Sequence, residues 1–191
     1  MRLHLQSARS HGSRLRVQSK RGVYSDCSRN RLSHYVRLVQ SKIQGVPQAI
    51  LDRFMELWDL YWSSVGRKDA EERADAWLFG PWFISDAFPS DWALSRLEDF
   101  VQVAGTAEPD HEAAEQLARL APIDPARSVR ILDQMARKDR EGWKFYSWRE
   151  SAIQILKIAI GAGGEAREIA VRLIDHLGRR GYVEFGELLS R

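Results

Sequence analysis

From Leu32 onward, apolar residues recur along the chain at steps of three and four. Leu32, Tyr35, Val36, Val39, Ile43 and Val46 fall on one face of a helix that Gly45 and Pro47 close. A second helix is predicted from Pro47 to Val65, with proline tolerated in its first turn. Its Phe54, Leu57, Trp58, Tyr61 and Trp62 make a broad apolar face, of the kind that neighbours cover on more than one side. A third helix is expected from about Asp69, where Asp69, Glu71 and Glu72 suit the positive end of the helix dipole.

The stretch from Trp77 to Trp92 then holds three tryptophans and three phenylalanines, broken by Gly80, Pro81 and Pro89. Each such ring buries roughly 150–250 Å² when it leaves water. The stretch therefore reads as a helix–turn–helix corner with its rings turned inward. Gly80-Pro81 is expected to interrupt a helix, because proline lacks an N–H and restricts the residue before it.

Beyond the corner, Ser90 or Asp91 is a candidate cap for a helix carrying Trp92, Leu94, Leu97, Phe100 and Val101 that ends at Gly105. Ala113, Ala114, Leu117 and Leu120 mark a short helix ending at Pro122. Asp124-Pro125 is a start signal, a capping acid followed by proline at the first helical position. The buried stripe that follows is Ala126, Val129, Leu132, Met135 and Ala136, and residues 139–147 read as a loop. Helices are predicted from Trp148 to about Ala162 and from Glu165 to Leu177, with Gly161, Gly163 and Gly164 between them. One or two turns follow over 182–189. No strand pattern with a hairpin partner is present, so the fold class is all-α, with about seven or eight helices.

The helices fall into antiparallel pairs with short turns, those near 91–120 and 124–162 spaced like hairpin repeats of about 40 residues. Two architectures fit: a short HEAT-like α-solenoid, in which each hairpin needs neighbours to cover it, or an orthogonal helical bundle. The residues from Phe79-Gly80-Pro81-Trp82-Phe83 through Asp91-Trp92-Ala93-Leu94, with the ending from Leu177-Gly178-Arg179-Arg180-Gly181-Tyr182 to Leu189, resemble the C-terminal helical region of large, poorly characterised bacterial multidomain proteins. Those regions are similar to HEAT-type solenoids. The resemblance covers about residues 48–191 and implies a scaffold or sensing surface, a tail piece of a larger architecture, and no catalytic residue.

Charge divides the chain. Residues 1–31 carry seven arginines and Lys20 against Asp26, a balance of +7, whereas the remainder carries 21 cations and 25 acids, a balance of −4. Two domains are expected: a basic, Arg/Ser-rich disordered tail over 1–31 and a helical-repeat domain over 32–191. The tail is the part that offers clustered cations to phosphate, through Arg9, Arg14, Arg16, Lys20 and Arg21. With Cys27 as the one cysteine and no apolar run of about 18 residues, the default is a cytoplasmic setting without membrane association.

Catalytic signatures do not emerge. Gly161-Ala162-Gly163-Gly164-Glu165 lacks the lysine of a phosphate-binding loop, and no Gly-x-Ser-x-Gly elbow occurs. The histidines 4, 11, 34, 111 and 176 show no metal-ligand spacing. His176 stands in a last helical turn, where positive charge suits the dipole. Cys27 lacks a held base. No cofactor is implied.

One polar and aromatic cluster remains: Trp143, Phe145, Tyr146, Trp148 and Arg149. Aromatics with arginine serve as interface anchors, but the same rings can plug the gap between two repeats. The expected function is a non-catalytic helical scaffold for a protein partner or covalently linked domain. The alternative is a nucleic-acid-associated module using the basic arm.

Overall fold

The computed structural model describes residues 46–65, 79–140 and 142–190, and within them every regular element is a helix. In chain order these are α1 (Gln48–Val65), α2 (Phe79–Ile84), α3 (Ser90–Ala104), α4 (Asp110–Leu120), α5 (Pro125–Lys138), α6 (Trp143–Ser147), α7 (Arg149–Ala162), α8 (Gly164–Arg179) and a closing 3-10 helix, η1 (Val183–Leu189). The all-α class is thereby established for the described residues. The helices expected over 32–46 and from Asp69, like the basic tail, lie outside them.

Local chemistry sets most boundaries. Asp124 accepts a 2.9 Å hydrogen bond from the Arg127 amide, and Pro125 takes the first helical position, so α5 begins where that dipeptide predicts. Gly105, at φ 88°, donates its N–H to the Val101 carbonyl and ends α3. At the other end of α3, Pro89 rather than Ser90 or Asp91 occupies the cap, with no side-chain bond. Gly80-Pro81 sits in the first turn of α2, and the helix expected before it lies outside the described residues. The first amides of a helix have no partner to lose there, so proline is free of its usual cost.

Helix α5 is the hub. It packs against α3, α4, α7 and α8, while α2 meets α3 and α4, α4 meets α7, and η1 meets α7 and α8. Ser128 and Ile131 are therefore buried beside the expected stripe of Val129, Leu132, Met135 and Ala136. The periodic stripe marks one covered face, whereas a helix with neighbours on several sides buries more. Arg130 joins three helices, donating at 2.9 Å to both Glu98 of α3 and Glu165 of α8. Half-exposed pairs of this kind contribute about 0–1 kcal/mol each, so the bridge sets alignment more than stability.

At the opposite end Phe79, Trp82, Phe83 and Phe88 of the rings predicted to point inward are buried and Trp92 is partly buried, while Trp77 lies outside the described residues. Helix α1 lays Phe54 on Trp82, ring centroids 3.5 Å apart, and Trp58 on Phe79 at 4.8 Å. Asp59 forms an ion pair with Arg96 at 2.8 Å. Contacts between such rings are worth about 0.5–1.5 kcal/mol each beyond the area they bury.

Two substitutions test this core. Trp58→Ala removes a fully buried ring and is expected to lower unfolding free energy by about 3–5 kcal/mol in urea titration. A loss below about 1 kcal/mol would place that ring outside the core. Gly80→Ala would set a methyl 1.8 Å from the Glu108 carbonyl oxygen. A loss of at least about 1–3 kcal/mol is expected, and a neutral result would show that α2 does not press against that loop.

Candidate functional site

The stretch that sequence reads as a loop contains the short helix α6, because Asp139 builds one. Its carboxylate accepts from the amides of Gly142 at 3.1 Å and Phe145 at 2.8 Å, supplying partners for the unpaired amides of a helix start. Arg180, just past α8, holds the other side. Its guanidinium donates to the carbonyls of Ala136 at 2.9 Å, Asp139 at 2.6 Å and Arg140 at 3.2 Å. The Tyr182 hydroxyl donates to the Gly142 carbonyl at 3.0 Å. Gly142 is required there: its φ is 80°, and a Cβ would come within 2.8 Å of that hydroxyl.

This bracing sorts the predicted cluster. Phe145 and Trp148, three positions apart, point inward and are 0% and 1% exposed. Phe145 packs against Trp148 and Tyr182, both at 4.8 Å, and against Phe185 at 5.5 Å. These two rings fill the interior and offer no interaction surface, which corrects two of the five residues expected there. Tyr146 and Arg149 point the other way, and Tyr146 is 75% exposed. Trp143 opens α6; the placement of its side chain lies outside the description, as do Arg9, Arg14, Arg16, Lys20 and Arg21.

Tyr146 and Arg149 line a groove of about 760 Å³ between α4 and the α6–α7 segment, with Ile84 of α2 also in its lining. One wall is the face of α4 that carries His111, Glu112, Glu115 and Arg119 at helical spacing. The other is formed by Ser147, Glu150, Ser151 and Gln154. Both walls follow from the stripes that pair the helices: α4 buries Ala113, Ala114 and Leu117, and α7 buries Ala152, Ile155 and Leu156. Their polar faces are left flanking the seam.

Internal partners occupy most of the groove's cations. Arg149 pairs with Glu184 at 3.0 Å. Arg119 reaches Asp86 at 3.8 Å and donates to Gln116 Oε1, while buried Gln116 donates to Asp86 at 2.8 Å. Asp86 itself has φ 56°, a left-handed conformation that aspartate tolerates better than most residues. His111 donates from Nδ1 to the Ser147 carbonyl at 2.9 Å and sets Nε2 3.2 Å from Glu115. Neither ring nitrogen is left facing a serine hydroxyl, so His111 does not form the base of a Ser-His-acid triad here. Among the described residues no group of three His, Cys, Asp or Glu side chains is placed to hold a metal ion, and no helix is long and apolar enough to cross a membrane.

His176 lies apart from the groove and differs from its expected favourable charge. Burial, then Arg137 and Arg180, hold its pKa below the ordinary histidine value, with Arg179 adding to this and Asp133 opposing it. Its Nε2 is enclosed without a hydrogen-bond partner among the described residues.

Comparison with known proteins finds no matching family model, no matching curated protein and no matching solved structure.

His176 gives a signed pH dependence. Its folded pKa lies below the unfolded value of 6.5, so the unfolded chain takes up the proton first as pH falls. Its contribution is intact above pH 6.5 and is lost below it. Chemical denaturation at a series of pH values is expected to show stability falling over that window, and His176→Gln should flatten the slope. An unchanged slope in the variant would assign the effect elsewhere.

Proposed function

We propose that the chain is a non-catalytic helical-repeat scaffold that receives a segment of a protein partner in the groove between α4 and α6–α7. The order of packing supports the repeat architecture. With α6 taken as a turn, α3, α5 and α8 follow one another in contact, as do α2, α4, α7 and η1. Contact with the next-but-one helix is what a short α-solenoid requires, and it favours that arrangement over an orthogonal bundle. The resemblance of residues 48–191 to HEAT-type regions of larger bacterial proteins points the same way.

The observation that carries the binding site is Tyr146. Its neighbours Phe145 and Trp148 are buried, yet this ring is 75% exposed at a concave site. A large ring held outward by a braced backbone is preorganised for contact, and tyrosine is enriched among residues that dominate interfaces. A photo-reactive phenylalanine analogue placed at position 146 in cells of origin is expected to give a discrete protein adduct. The same analogue at Ile123, exposed but outside the groove, should not give it. No adduct from position 146, or identical adducts from both positions, would reject the groove as the scaffold's contact.

A further inference from the structure

Resting on that reading, we infer that the groove recognises an arginine- or lysine-bearing segment of a separate protein. The argument begins with which charges remain uncommitted. Arg149 is tied to Glu184, and Arg119 to Asp86 and Gln116. His111 lies against Glu115 and the Ser147 carbonyl. Glu112 and Glu150, both exposed on facing walls, pair with no cation among the described residues. Among the described residues the groove's free charge is therefore negative, although cations line it.

A second observation is independent of charge. Ser151 lines the groove, is 8% exposed, and its hydroxyl makes no hydrogen bond with any described residue. Most of the residue is covered, but the hydroxyl itself opens on the groove, where a ligand can partner it. Facing the groove, it is placed to accept an N–H from a cationic head that has passed between the glutamates. The surroundings match the rest of such a side chain. Ile84 and Ala118 supply apolar surface for a methylene stem, and the face of Tyr146 can stack on a guanidinium or ammonium group. An anionic segment would meet Glu112 and Glu150 with no free cation among the described residues to offset them.

The test is fluorescence anisotropy of the full-length chain with a labelled octapeptide alternating arginine and alanine, and with a glutamate-for-arginine version. Saturable binding of the arginine peptide alone is expected, weakening as salt rises. Glu112→Gln combined with Glu150→Gln should weaken it about tenfold, and Tyr146→Ala about threefold, in line with charge-pair and cation–π magnitudes. Glu168→Gln with Glu187→Gln changes net charge equally on exposed residues outside the groove and should leave binding unchanged; equal weakening in that control overturns the site. A full-length variant with Arg9, Arg14, Arg16, Lys20 and Arg21 all changed to Gln should bind the probe as the parent does. Several-fold tighter binding there would mean that this chain's own basic stretch competes, and would overturn a separate partner. Absence of arginine-peptide binding, with the adduct from position 146 retained, would reject the basic ligand and leave the scaffold reading standing.

Discussion

The guanidinium of Arg180 takes up three main-chain carbonyls at the end of α5. The exposed face of the molecule near the groove follows from that contact. Carbonyls at a helix end carry partial negative charge and lack partners within the helix, so a planar cation with several N–H groups satisfies them well. Arg180 and Asp139 act from opposite sides of the same turn, one donating to carbonyls and the other accepting from amides. Between them the direction of α6 is set, and with it the division of Phe145 and Trp148 to the interior and Tyr146 to water. A lysine in place of Arg180 would keep the charge but lose the planar fork that spans several acceptors.

How much of this was legible in the chain depends on the distance over which each feature is encoded. Asp124-Pro125 and Gly105 act within one turn, and the ends of α5 and α3 could be read from them. The stripes of α3, α4, α7 and α8 were likewise legible, since burying one face imposes its period on the sequence. Ser128 and Ile131 were not, because their burial depends on α5 having neighbours on several sides. The role of Gly80-Pro81 in opening α2 was hidden for a similar reason: the dipeptide reads the same whether it ends one helix or opens another.

The groove was half legible. Tyr146 and Arg149 stood out by composition, yet so did Phe145 and Trp148, and spacing alone did not assign inside and outside to a segment taken for a loop. The opposite wall was hidden. His111 meets Ser147 across 36 positions, and Gln116 meets Asp86 across 30. The one available signal was the run of polar residues on the far side of α4, which resembles any solvated helix face. Partnership between remote segments, and thus which charges stay free, is a property of the packed molecule.

The aromatic end of the molecule has an optical consequence. Trp58, Trp62, Trp82 and Trp92 all belong to the ring cluster shared by α1, α2 and α3, whereas Trp148 lies beside Phe145 at the other end. Intrinsic emission is therefore weighted toward the junction with α1, while circular dichroism samples every helix alike. A divergence between those two signals during unfolding would report the separation of α1 from the remaining helices rather than dissolution of the whole.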